Sequence, residues 1–393
     1  MLMSRKPSAL IVGTGIGGLS CAIALKKIGW SVRLFEKTDS LRATGSGLSV
    51  MSNASSAMKK LLDIDLGLKN YGAEVRNFEI RHSSGLLLKR LPVQKISDEQ
   101  GTPSICISRE NLQRALLDQL GDADISFGKR VTGYNETSDA VHINFEDGTV
   151  SSGDIIVGAD GFYSAIRDAI GTESIIQEAG YICWLALVKY SHPKITPGYV
   201  AHYWGRGKRM GIVDIGDGWV YWWGTANMSN DDAKRWKGTN RDVAEFYAGW
   251  PDLVQDIINS TDSESIITVD AKDRTFPEHW TKGRVTLLGD AAHPMLTSLG
   301  QGAGISIEDA AVLGYVLKNT EDYRVALRRY EAIRQPRARA IVNTSRSLSD
   351  IEQHDRFFPC LERDVSMLLT SKKSMRKRLQ DSLLFDDLAI QAQ

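Results

Sequence analysis

No charge excess, no paired cysteines and no long apolar run mark this chain, and each absence removes a class of function. Lys plus Arg and Asp plus Glu both number 48 in 393 residues. With no net field, the composition favours neither nucleic acid nor an anionic membrane as partner, although a local patch stays open. The four cysteines, Cys21, Cys106, Cys183 and Cys360, are scattered. They form no CxxC pair and no metal-ligand spacing, so no metal is expected and the thiols fit a reducing cytoplasm. The first apolar stretch, Ala9 to Val12, is too short for a signal core and runs straight into glycine. No run approaches the roughly 20 apolar residues that span a bilayer. Internal repeats and low-complexity linkers are also missing. The expectation is a soluble cytoplasmic protein, monomer or homodimer.

The length exceeds the usual single core and suggests two intimately joined domains. Ser8–Val12 reads as a buried parallel strand ending at Gly13. Apolar residues at helical spacing come next (Leu19, Ala22, Ile23, Leu25), Gly29 ends the helix, and Ser31–Glu36 resumes as a strand. That is one βαβ unit. Phe78–Arg81 and Leu86–Leu91 form a hairpin about Ser83–Gly85. Arg109–Leu120 is a helix capped by Ser108. Val141–Phe145 is a strand entering a tight turn, and Asp154–Gly158 is another buried strand ending in glycine. From Tyr181 to Val269 short alternating segments predict an antiparallel sheet. Seven of the nine tryptophans lie there, where Trp184, Trp222 and Trp223 suit either sheet core or an aromatic pocket. Arg284–Asp290 returns to the buried-strand pattern. Ile305–Ser347 is mostly helical, with an interruption near Pro336, and Lys372–Arg378 reads as a solvated helix face.

Three distant segments carry the chemistry. The first, Gly13-Thr-Gly15-Ile-Gly17-Gly18, succeeds a strand and opens a helix. Gly13 permits the turn, Gly15 lets the backbone approach a pyrophosphate, and Gly18 lets helix pack on strand. Helix amides and dipole then favour phosphate. Glu36 closes the second strand, where a carboxylate can accept from both ribose hydroxyls; acid there argues against a 2′-phosphate. The second segment runs from Gly158 through Asp160 and Gly161 to Arg167, a turn into a helix start with a cation near the pyrophosphate. The third joins Gly289-Asp290 to Gly300-Gln301-Gly302-Ala-Gly304 and Glu308-Asp309. Asp290 can accept from a sugar or ribityl hydroxyl. The glycines precede a helix whose amides can face an electron-rich ring edge, which on a flavin is the N1–C2=O locus.

In this order and at these separations the segments resemble the class A flavoprotein monooxygenases, typified by p-hydroxybenzoate hydroxylase, over roughly residues 8–345. The closer likeness is to the urate-hydroxylase, salicylate-hydroxylase and zeaxanthin-epoxidase branch. The resemblance implies an α/β fold in which a Rossmann-like FAD-binding domain (1–75, 100–178, 280–345) interleaves with an antiparallel-sheet substrate domain (76–99, 179–279). Residues 346–393 complete the chain as C-terminal helices. It also implies noncovalent FAD and NAD(P)H as co-substrate, without a separate nucleotide domain. The reaction it implies is hydroxylation of a small aromatic or electron-rich ring by O2 through a flavin C4a-hydroperoxide. Arg42, in Leu41-Arg-Ala-Thr-Gly45-Ser-Gly47, resembles the arginine lying along the cofactor, with Gly45 and Gly47 near the isoalloxazine. Arg109 resembles the helix-start arginine that reaches the FAD linker. Ile16, Lys37, Val131 and Ala303 complete the implied cofactor contacts.

Two positions depart from the family pattern: Thr297 stands where proline is usual, and Gly304 where asparagine is usual. Both put substrate geometry in question and leave FAD binding untouched. His293 reads as structural, and no catalytic base stands out. His202, Tyr203, Arg206 and Arg209 fall where the family places substrate contacts, yet sheet surface is the plainer reading of each. An epoxidase or an antibiotic-modifying monooxygenase fits the same pattern. A halogenase would need WxWxIP, which Trp222-Trp223-Gly-Thr-Ala does not supply. A noncatalytic FAD-fold binding protein would not need both halves of the third segment.

Overall fold

The computed structural model describes residues 5–41 and 45–391. Arg42 therefore lies outside the described residues. At the centre is a six-stranded sheet in the order Thr281–Lys282, Val285–Leu287, Ile155–Gly158, Ser8–Val12, Ser31–Phe35, Asp124–Ser126. All neighbouring pairs are parallel except the first, at the edge. Leu10, Ile11, Ile155, Ile156, Val157 and Leu287 are all fully buried, as expected of strands covered on both faces. Register brings the motifs together: Val12 stands beside Gly158, and Gly158 beside Leu287. The three motif-bearing segments therefore leave the sheet side by side, at the carboxyl ends of adjacent parallel strands, where open α/β sheets bind ligands.

The first segment opens the Ile16–Lys27 helix and the third opens the Gly302–Lys318 helix. The latter is buried nearly all round, as its apolar sequence requires, against the Ile16–Lys27, Ser52–Leu62 and Tyr323–Glu352 helices. Arg109–Leu120 is helical as expected, and Ser108 Oγ accepts from the Asn111 amide. The Val141–Phe145 strand, its tight turn and the Phe78 hairpin also form.

A second, seven-stranded sheet runs Ile267–Arg274, Ile176–Lys189, Trp219–Asn227, Lys208–Asp214, Tyr199–Trp204, Asn77–His82, Leu87–Leu91. It is antiparallel but for one pair, Tyr199–Trp204 with Asn77–His82, because the hairpin joins from a remote part of the chain. Strand alternation splits the tryptophans. Trp184 and Trp222 face a core covered by short helices between 230 and 259, with Trp184 5.3 Å from Trp236 and 5.1 Å from Phe246. Trp223 points the other way, over Gly211, where a Cβ would come within 2.1 Å of the indole.

The expected break at Pro336 does not occur. Tyr323–Glu352 is one helix of 30 residues through Pro336, and the interruption comes earlier, at 319–322. Proline removes one donor, but the residues around it are pinned by ion pairs. Arg334 Nε donates to Asp309 Oδ1 at 2.7 Å and its Nη1 lies 2.8 Å from Glu308 Oε2. Arg337 adds two bonds of 2.7 Å to Glu308. A domain boundary at 345 falls inside this helix.

These charges are buried to 1% exposure or less at Arg334, Glu308 and Asp309. Burial pushes the Asp309 carboxyl up, but His293 and Arg334 outweigh it and hold it at about 2. A depressed carboxyl contributes stability present above its unfolded pKa and lost as pH falls through the folded one. Acid unfolding should therefore gain an Asp309 component between pH 3.8 and about 2. Arg334→Met, which removes the buried cation that both carboxylates share, should cost about 3–5 kcal/mol in denaturant unfolding. A loss below about 1 kcal/mol would mean the pairs are not structural.

Candidate functional site

The carboxyl ends of the central strands open into a cavity of about 770 Å³. Gly15, Ile16, Gly17, Gly47, Arg109, Gly161, Gly289, Asp290, Thr297, Gly300, Gly302 and Ala303 all line it, so all three segments converge on one space. Two helix N-termini face it without caps. Gly15 begins the Ile16–Lys27 helix and Gln301 the Gly302–Lys318 helix, and neither gives a side-chain cap. Ser164 and Asp322, by contrast, cap their helices with side-chain oxygens. Uncapped amides and positive dipole ends on one cavity make a site for an anionic ligand with two acceptor regions.

The glycines divide by role. Gly13 has φ +100°, and a Cβ there would meet the Ala159 carbonyl at 2.4 Å. A Cβ on Gly18 would lie 2.0 Å from the Gly13 carbonyl oxygen. A Cβ on Gly15 meets nothing within 4 Å; it would stand in the cavity. Gly47 lines the cavity tight against Tyr221, whereas Gly45 is exposed and outside it.

Glu36 lies just beyond the first turn, half-buried. Its Oε2 accepts from the Thr14 amide and hydroxyl at 3.1 and 2.9 Å, and its Oε1 from those of Thr38, both at 3.1 Å. Burial pushes this carboxyl up, but the four bonds together hold it below the usual range. Lys37 beside it is exposed. Val131 is buried at the start of a strand just after Lys129, whose amide donates to the Glu36 carbonyl at 2.8 Å.

Asp160 and Arg167 do not line the cavity. Asp160 accepts from Ser164 Oγ at 2.5 Å and from the Ile166 amide at 3.2 Å, holding the helix start. Arg167, expected as a cation near the pyrophosphate, is buried, donating to the Phe162 and Ala291 carbonyls at 2.8 and 3.2 Å. It ties the second segment to the third. His293 Nε2 donates to Asp309 Oδ2 at 2.5 Å, a structural placement, and the same oxygen accepts from the Gly289 amide at 3.1 Å.

Of the two departures, the structure explains the second. Thr297 starts a single 3₁₀ turn and its carbonyl accepts from the Gly300 amide at 2.9 Å. At Gly304 a Cβ would come within 2.8 Å of Gln301 Oε1 and 3.5 Å of Asn53 Nδ2. Asn53, from the Ser52–Leu62 helix, donates to Gln301 at 3.0 Å and to Glu308 at 2.7 Å. An amide thus reaches that spot from a neighbouring helix. Gln301 is buried outside the cavity lining, its Nε2 without a partner.

The far wall is the second sheet, and here the surface reading fails for two residues. His202 and Arg209 line the cavity because strand alternation turns them inward; Tyr203 is buried on the opposite face, and Arg206 is exposed. His202 packs edge-on between Phe78 and Trp223, each 4.8 Å away. Burial, then the Arg209 cation, lowers its pKa to about 3, so the ring is neutral. Arg209 pairs with Glu352, donates to Gln353 at 3.0 Å and Ser298 at 3.1 Å, and lies over Trp223. Burial disfavours its charge, but Glu352 beside it keeps it cationic. Leu185 and Tyr221 complete this wall, as period-2 alternation could have shown. Met367, Met375 and Leu379, from helices near the C-terminus, close the remaining side, and nothing in their pattern signalled it.

Residues 6–345 match the family described as FAD binding domain. The chain belongs to that family. It is an FAD-dependent monooxygenase and thus an oxidoreductase. Over 97% of its length it is 34% identical to aurachin C monooxygenase/isomerase of Stigmatella aurantiaca, covering 99% of that protein. It is 33% identical to the FAD-dependent urate hydroxylase of Klebsiella pneumoniae, over 87% of this chain and 90% of that one. The solved structure of Klebsiella pneumoniae HpxO with FAD and uric acid superimposes with a TM-score of 0.88 at 29% identity, covering 96% of each chain. The uncapped amides and the open space at Gly15 fit the FAD that the family binds.

The glycine roles make a two-armed test. Gly15→Val should leave flavin-free thermal unfolding unchanged but weaken FAD binding by about 100-fold or more, measured by flavin fluorescence titration. Gly18→Val should destabilise the flavin-free protein by roughly 3 kcal/mol. Equal effects of both on the flavin-free protein would remove the assigned division of roles.

Proposed function

We propose that this enzyme hydroxylates a planar, electron-rich aromatic or heteroaromatic ring, using NAD(P)H and O2. The observation that carries the reading is the single cavity walled on one side by the three cofactor segments and on the other by the sheet bearing Trp223, His202 and Arg209. Similarity to a urate hydroxylase supports a ring substrate.

When bound, FAD supplies electron transfer from NAD(P)H to O2 and an electrophilic oxygen. The protein supplies the rest. Gly302 and Ala303 amides at the uncapped helix start would stabilise negative charge on the flavin when it is bound. Gly15 to Gly17 would hold the pyrophosphate, Glu36 and Asp290 would accept from sugar and ribityl hydroxyls, and Arg109, which lines the cavity, would hold the linker. Leu185, Tyr221 and Trp223 exclude water and offer flat apolar contact for a ring. Arg209, held by Glu352 and Ser298, presents a fixed guanidinium donor to an oxygen or carbonyl of the ring, its charge balanced by the paired carboxylate. His202 stays neutral, so it donates or accepts a hydrogen bond and does not serve as a base near neutral pH.

The decisive assay mixes the flavin-loaded protein aerobically with NADH or NADPH and a panel of phenols, hydroxylated heteroaromatics and purines. The expected result is ring-dependent nucleotide oxidation and a product carrying one atom from isotopically labelled O2. Nucleotide oxidation with none of them, or label arriving only from water, would overturn the reading. His202→Phe keeps the packing between Phe78 and Trp223 and should raise KM for the active ring about tenfold. Because His202 titrates near 3, the pH profile between about pH 5 and 8 should be the same in both proteins.

A further inference from the structure

The Phe357–Leu369 helix has two faces with different partners. Its inner face is fastened to the protein. Arg363 is buried, donating to the Gly205 and Glu352 carbonyls at 3.1 and 3.2 Å and lying over Trp204. Met367, on that side, lines the cavity. Lys89 pins the far end by donating to the Leu368 and Thr370 carbonyls, both at 2.8 Å.

Its outer face is a continuous apolar stripe in solvent. Phe357, Phe358, Leu361, Val365, Leu368 and Leu369 recur at helical spacing within one arc of the helix, and all are exposed. Phe358 is 78% and Leu369 79% exposed. Single exposed apolar residues are ordinary, but six on one face mark an interaction surface. Cations stand at both ends. Arg356 precedes the stripe, next to the exposed Asp355, and Lys372, Lys373 and Lys377 come after it on the next helix, Lys372–Leu383. All four are exposed and form no ion pair among the described residues. Glu362 is the helix's one exposed carboxylate, since Asp364 pairs with Arg363 at 2.8 Å. In a chain of zero formal charge this is a local basic and apolar patch.

We propose that this helix docks the enzyme on the surface of an anionic lipid bilayer. The stripe lies in the headgroup–acyl boundary and the flanking lysines meet the lipid phosphates. An apolar face bordered by Lys and Arg is the composition of an interfacial helix. A second copy of this chain would bring the like charges of Arg356 and the three lysines together, which argues for lipid over self-association. No helix among the described residues is long and apolar enough to cross a membrane, so the attachment is peripheral. The placement also has a use. The same helix, with Met375 and Leu379 of its neighbour, walls the cavity, so a substrate dissolved in lipid reaches the site through one layer of helices.

Co-sedimentation of the FAD-loaded protein with phosphatidylcholine vesicles, with and without phosphatidylglycerol, tests this. The protein should partition onto vesicles containing phosphatidylglycerol. Phe358→Ser with Leu369→Ser should lower the partition coefficient at least about tenfold. Lys372→Gln with Lys373→Gln should lower it roughly fivefold per lysine on anionic vesicles and little on neutral ones. Flavin content should be unchanged in both variants, since the altered side chains are exposed. Amide exchange across 357–369 should slow in the unaltered protein when vesicles are added, a readout independent of any variant. Absence of vesicle binding, or binding that both double variants leave intact, overturns the proposal. So does a doubled hydrodynamic mass that Phe358→Ser with Leu369→Ser abolishes, which would place a second copy on the stripe.

Discussion

Arg334, lying between the carboxylates of Asp309 and Glu308, is the interaction on which the site's shape depends. Three charges with almost no solvent exposure persist only as a mutually satisfied set, because each alone would carry a large desolvation penalty. The set reaches every part of the third segment. Asp309 holds the Gly289 amide and His293; Glu308 holds Asn53, which holds Gln301 at the start of the glycine-led helix. Through Arg334 and Arg337 it also carries the Tyr323–Glu352 helix past Pro336 without a break. The glycine turn that faces the cavity is therefore fixed from behind by ion pairs that never reach it.

In front of that turn the electrostatics change sign. Two helices present uncapped amides to one cavity, and the side chains elsewhere used as caps are missing at both. The two helix starts leave amides open where a ligand can satisfy them, while Asp309 and Glu308 behind the turn are held by several partners each. Arg167 shows the same division. A cation in the second segment is used to bridge carbonyls of two motifs, and the amides are left to meet the anion.

The opposite wall depends on pleat alone. Consecutive residues Trp222 and Trp223 belong to different worlds, one sealed under helices and one facing the cavity over Gly211. Arg209 joins this wall to the end of the long helix through Glu352, so sheet, turn and long helix share one polar contact at the cavity. The helix beyond it faces the cavity with Met367 and the solvent with Phe358.

The cofactor half of the site was legible because its chemistry is local. A tight turn, a close backbone approach and a helix start each demand glycine at a set spacing, and Gly13, Gly15 and Gly18 meet those demands within six residues. The Ser108 cap and the buried strands are equally local. The second half was not legible, because it depends on which face a strand presents and on what a remote element brings to it. His202 and Arg209 looked like solvated sheet residues until the sheet closed over the first domain's motifs. Pro336 looked like a break until buried ion pairs overrode a single lost hydrogen bond. By itself, then, the sequence determined a dinucleotide fold and, through its three motifs, a flavin. Only tertiary structure decided that Arg167 is a brace, that Arg209 faces the cavity, and that an apolar helix stands between cavity and solvent. Backbone conformation is set by neighbours along the chain; desolvation and charge pairing are set by neighbours in space.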